Sequence, residues 1–169
     1  SNEEEELEKA VQLIQEAAAE SDPIGQYALG ELYLFGEAGL AEDREQAAEY
    51  FRLSSEQGFT EAHVRYGHLL SVGEYVEEDK QKAAELFERA AKEGHPEGQM
   101  RLAWAYHLGE GVPEDKRTAY MWISIAASNG NEMAQEARDL FGIEIGLVGM
   151  SVAAERMKDC LESNYKNCD

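Results

Sequence analysis

Four histidines, two cysteines and 35 acidic side chains are the groups in this 169-residue chain that could do chemistry. His63 and His68 lie five residues apart, so a helix would point them to different faces. His68 and His107 could face one groove from successive elements, yet surface or groove histidines are the plainer reading of both. Cys160 and Cys168 do not have the usual Cys-x-x-Cys spacing of a zinc site, and nothing after Cys160 would activate a thiolate. The carboxylates could supply an acid–base pair, but most fall in loops or on the outer faces of helices, where hydration leaves them unperturbed. There is no glycine-rich phosphate loop, no His-Glu-x-x-His run and no Gly-x-Ser-x-Gly elbow. No catalytic residue, metal ligand or cofactor is assigned, and no enzyme is expected.

Composition points the same way. With 43% hydrophobic and 30% charged residues the chain can build a core, and disorder is excluded for most of it. No stretch approaches the roughly 20 apolar residues needed to cross a bilayer, so membrane insertion is not expected. The net charge of −20 repels nucleic-acid phosphates and anionic lipid. It divides into −12 up to Gly58 and −8 beyond, which serves solubility or a field that selects basic partners. No signal peptide is visible, and Ser1-Asn2 resembles a cloning remnant that leaves room for a removed one.

The elements that must position any site are set by an internal repeat. Gly58, Gly94 and Gly130 recur every 36 residues, as do Asp43, Asp79 and Asp115, and Ala47, Ala83 and Ala119. Gly36, Gly73 and Gly109 form a further column, its first interval one residue longer. Each unit reads as helix, loop, helix. Gly36 ends one helix in the left-handed conformation, Asp43 caps the next, and Gly58 closes it. The spacing predicts helix pairs at 24–35 and 43–57, 61–72 and 79–93, and 97–108 and 115–129. Small residues such as Gly30 supply depressions, where a neighbouring backbone is expected to approach. Leucine, tyrosine and phenylalanine supply ridges. No hairpin buries its apolar faces alone, so stacking must complete the core.

The ends are atypical. Residues 5–20 match a second helix lacking its first, with Ser21 in the place of the glycine. After Gly130 a helix of about ten residues carries Met133, Ala134, Ala137 and Leu140. Leu147, Met150, Ala154, Met157 and Leu161 then form a helical stripe, with Gly142, Gly146 and Gly149 around the junction.

The segments Leu29-Gly30-Glu-Leu32-Tyr33-Leu-Phe-Gly36, Gly109-Glu-Gly111-Val112-Pro113-Glu-Asp115 and Ala90-Ala91-Lys-Glu-Gly94 resemble the Sel1-like repeat, a relative of the tetratricopeptide repeat with a longer period. The resemblance implies one all-α domain, a right-handed α–α superhelix whose concave face is lined by first helices. It comprises a partial repeat at 3–22, repeats at 23–58, 59–94 and 95–130, and a helical cap at 131–169. It also implies an adaptor or scaffold, in a family many of whose bacterial members are exported.

On that reading the variable positions of the first helices point into the groove: Glu31, His68 and Trp104; Leu34, Ser71 and His107; Phe35 with Val72 and Leu108; and Arg65 and Arg101. Aromatics with nearby arginine suit an interaction hot spot, the alternative being packing between units and pairing with neighbouring glutamates. The expected function is protein or peptide binding by a monomer. A hydrolase acting on cell-wall material and a structural subunit of an assembly are the alternatives.

The closing segment also resembles the tails of exported family members, which end in a similar Cys…Asn-Tyr-Lys-x-Cys. The resemblance implies a Cys160–Cys168 disulfide, and Asn164 and Asn167 suit the turn that would bring the two together. A bridge places the chain in the periplasm or outside the cell, whereas two reduced thiols would place it in the cytoplasm.

Overall fold

The computed structural model describes residues 2–168. Among these residues there is no strand, and eight helices follow one another: α1 (Asn2–Ala19), α2 (Pro23–Phe35), α3 (Arg44–Glu56), α4 (Thr60–Val72), α5 (Lys80–Lys92), α6 (Pro96–Leu108), α7 (Lys116–Ser128) and α8 (Glu132–Glu162). They form two compact units, one running to Glu78 and the other starting at Asp79. In the first, α1 packs on α2, α2 on α3 and α3 on α4. In the second, α5 packs on α6, α6 on α7 and α7 on α8.

The helix ends follow from the repeated residues. Asp43, Asp79 and Asp115 each accept a hydrogen bond from the first turn of the helix they precede. Partial burial raises the Asp115 carboxyl. Hydrogen bonds from Thr118 and Arg117 outweigh that, so its pKa lies below the ordinary aspartate value. Asp22, His95 and Asn131 cap α2, α6 and α8 in the same way. Phe59 precedes α4 without a side-chain cap, and its ring meets Tyr27 edge-on at 5.3 Å instead.

Each second helix stops at a left-handed residue. Gly58, Gly94 and Gly130 have φ of 87°, 83° and 91°, and Ser21 adopts φ 63° in the same position after α1. A side chain in this region clashes with its own backbone, so Ser21→Gly is expected to stabilise the first unit by about 0.5–1 kcal/mol, read from urea unfolding. An unchanged or lower midpoint would show that the serine hydroxyl contributes more than the strain removes.

The cores hold the expected small-and-large mixture. Phe51 is buried in the first unit beside Leu29, Ala47 and Ala48. Leu102, Met121, Trp122, Ile123 and Ile125 fill the second. Gly30 is close to the Phe51 ring, so its missing side chain admits an aromatic group more than a backbone. A buried polar side chain recurs at one position of the first helices: Gln26, His63 and Gln99. Gln26 accepts from Gln57 at 2.7 Å, His63 Nδ1 meets Ser55 Oγ at 2.9 Å, and Gln99 accepts from Asn129 at 2.9 Å while donating to the Ala91 carbonyl.

The C-terminal region differs in detail from the sequence reading. The helix after Gly130 runs 132–145, longer than ten residues, and breaks at Gly146 (φ 66°, ψ 177°) into a second arm, 147–162. Gly142 and Gly149 are buried within the arms. In the second arm the small residues Gly149, Ala153 and Cys160 face inward, whereas Leu147, Ala154 and Leu161 of the predicted stripe are exposed. Cys160 and Cys168 are both buried and form a disulfide with Cα atoms 4.4 Å apart. The chain leaves the helix through Asn164 and Tyr165, both at positive φ, where Asn164 and Asn167 were expected to turn.

Candidate binding face

The first helices place the sequence-derived candidates as follows. In the first unit, α2 carries Glu31, Leu34 and Phe35, and α4 carries Arg65, His68 and Ser71. Arg65 forms an ion pair with Glu31 at 3.2 Å. Burial raises the Tyr27 phenol above its ordinary pKa, and a hydrogen bond with Arg65 opposes the rise. The guanidinium therefore joins α4 to α2 as well as facing water. Ser71 Oγ donates to the His68 carbonyl at 2.8 Å, and Leu34 and His68 are half-buried. Phe35 is 56% exposed.

In the second unit, α6 carries Arg101, Trp104 and His107. Arg101 is held by Glu97 one turn earlier at 2.8 Å and lies 5.9 Å from the centre of the Phe87 ring. Trp104 meets Phe141 edge-on at 4.9 Å and His107 edge-on at 5.5 Å, and His107 stacks on Phe141 at 4.2 Å. Three rings thus lock one another, and Trp104 still leaves 39% of its surface exposed. His107 Nε2 lies 3.7 Å from Glu144, and its Nδ1 is buried without a hydrogen bond. Lys116, which donates to Glu144 at 2.9 Å, holds the Glu144 carboxyl below its ordinary pKa.

Phe141, the residue that organises this cluster, was not singled out in the sequence. It lies beyond the last full repeat, where the helical period alone does not show which side of α8 returns to α6. Both arginines keep glutamate partners, the alternative to a binding role. Among the described residues no group of three or more His, Cys, Asp or Glu could hold a metal ion. No helix of the described residues is long and apolar enough to cross a membrane.

Comparison with known proteins agrees with the repeat. The Sel1 repeat family matches the chain three times, at residues 23–59, 60–95 and 96–131. No curated protein matches it significantly. A Sel1 repeat protein from Oxalobacter formigenes is 30% identical, over 78% of this chain and 98% of its own length, with a TM-score of 0.70. The Escherichia coli protein c5321, a protective antigen of uropathogenic strains with the same fold, is 24% identical over 93% of this chain and 42% of its own, at 0.60. Helicobacter pylori cysteine rich protein B is 21% identical over 79% and 95%, at 0.58. With three repeat matches and a related structure spanning most of its length, the chain belongs to the Sel1 repeat family.

Proposed function

We propose that the protein is a protein- or peptide-binding scaffold that works outside the cytoplasm and engages its partner through the exposed residues of its first helices. Sel1-repeat proteins typically serve as interaction scaffolds. The observation that carries the proposal is Trp104. A large aromatic side chain, part exposed and held rigid by Phe141 and His107, offers contact area at little cost in side-chain entropy. Arg101 stands one turn away on α6. Phe35 gives the first unit an exposed aromatic of its own, with Glu31, Leu34, Arg65, His68 and Ser71 as its neighbouring candidates. The buried disulfide supports an oxidising compartment.

Cross-linking capture followed by mass spectrometry identifies the partner, and titration with the purified partner then tests the face. Trp104→Ala is expected to weaken binding by about 2 kcal/mol or more, while Trp104→Phe retains most of the affinity. Unchanged affinity together with a marked loss of stability would make Trp104 a packing residue and remove the proposal's main support.

A further inference from the structure

The second unit contains a cleft of about 630 Å³ between α7 and the two arms of α8, with Tyr120, Met121, Ser124 and Ser128 along α7. The sequence at this place departs from the repeat. Along α3 the equivalent of Met121, Ser124 and Ser128 is Glu49, Arg52 and Glu56, and along α5 it is Glu85, Glu88 and Lys92. Those charged faces are solvated, with Arg52 paired to Glu49 and Glu56 and Lys92 paired to Glu88. In α7 the charges are gone because the second arm of α8 lies over this face, bringing Met150, Ser151, Ala154 and Met157 to the opposite wall.

The cover is incomplete, and the first arm of α8 shows a reason. Arg138 and Asp139 stand where the earlier first helices have Leu29-Gly30, Tyr66-Gly67 and Leu102-Ala103. An apolar residue followed by a small one lets helices pack closely, whereas a charged pair keeps them apart. Both Arg138 and Asp139 line the cleft and reach solvent. Within the cleft, Ser124 is 9% exposed and its hydroxyl oxygen makes no hydrogen bond. A buried hydroxyl without a partner destabilises the protein, and alanine, which would fit there, would not. Beside an open cleft, that hydroxyl is free to bond a ligand.

We infer that this cleft binds a short, uncharged peptide segment with aliphatic side chains, one of whose backbone polar groups completes the hydrogen bonding of Ser124. The walls carry three methionines that adapt to irregular side chains and serines at three positions, and the two charged lining residues, Arg138 and Asp139, pair with each other at 3.4 Å. An uncharged peptide offers both aliphatic side chains for the methionines and backbone polar groups for the serines. A plain acyl chain leaves Ser124 unpaired, and an anionic ligand meets the chain's net charge of −20. The site is separate from Trp104 and stands or falls without it.

The test uses the whole chain labelled at its five methionine methyl groups, titrated with an acetylated, amidated pentapeptide alternating leucine and glutamine. The methyl resonances of Met121, Met150 and Met157 are expected to shift saturably, while Met100 and Met133, which do not line the cleft, stay in place. Ser124→Ala is expected to weaken the peptide about threefold to tenfold without lowering the melting temperature, and Ala154→Trp to fill the cleft and abolish the shifts. No saturable shift, equal shifts at all five methyls, or unchanged affinity in Ser124→Ala overturns the inference. Decanoate moving the same three methyls when the peptide does not would assign the cleft to acyl chains and overturn it equally.

Discussion

Replacing Gly111 with alanine is expected to destabilise the protein by about 3 kcal/mol or more, read from the midpoint of urea unfolding. Gly111 has φ 75°, and a Cβ there would lie 2.0 Å from the Lys80 carbonyl oxygen and 2.5 Å from its carbon. Backbone that opens helix α5 cannot swing aside as a side-chain tip can, so the loop or the helix start must move. The left-handed turn alone is a smaller matter, because Ala38 and Tyr75 hold φ of 55° and 58° at the same loop position in the first unit. Ala38→Gly is the control. It relieves a strained conformation without touching a close contact, and a stabilisation of no more than about 1 kcal/mol is expected. Should Gly111→Ala unfold at the wild-type midpoint, the close approach of loop and helix is wrong.

Breaking the Cys160–Cys168 bridge, by reduction or by Cys168→Ser, is expected to cost about 2–3 kcal/mol, the chain-entropy value for so short a loop. The bridge holds Asn164 and Tyr165 at positive φ and brings the Tyr165 ring within 3.5 Å of where a Gly94 side chain would begin. The Tyr165 hydroxyl accepts a hydrogen bond from Asn129 at 3.1 Å, and Asn129 also donates to buried Gln99. Freeing the tail therefore loosens the end of α7 as well as residues 163–168. Hydrogen exchange should rise first at the end of α7 and in the tail. Titration of thiols in the denatured, unreduced protein should find none. Two free thiols would remove the bridge and, with it, the argument for an oxidising compartment.

The repeat made most of the fold legible. Glycine and aspartate columns located the helix ends to within about a residue because each has a local cause, a left-handed cap or a carboxylate on a first turn. α8 was less legible. Apolar period identified Leu147, Met150, Ala154, Met157 and Leu161 as one stripe, but close packing selected the small side chains of Gly149, Ala153 and Cys160 for the interior. At the candidate face, the spacing located Trp104 and Arg101 on α6. It did not show that Phe141 of α8 would hold Trp104, since that depends on which face the first arm of α8 turns toward α6. The cleft on α7 did leave a trace. Met121, Ser124 and Ser128 stand at positions that are charged in α3 and α5, a sign that something covers this face.

The buried polar column has a consequence for how such a chain avoids assembling wrongly. Hairpins of nearly equal length and similar apolar pattern could dock on one another out of turn, and hydrophobic burial alone would barely discriminate among the arrangements. The polar pairs, however, differ from place to place: glutamine with glutamine ties the end of α3 to α2 at Gln57 and Gln26, asparagine with glutamine ties the end of α7 to α6 at Asn129 and Gln99, and serine with imidazole ties α3 to α4 at Ser55 and His63. A first helix seated beside the wrong second helix would leave its buried Gln26, His63 or Gln99 with a mismatched partner or none, at about 1–3 kcal/mol for each group left unpaired. These side chains thus act as addresses, marking which second helix each of these first helices belongs beside.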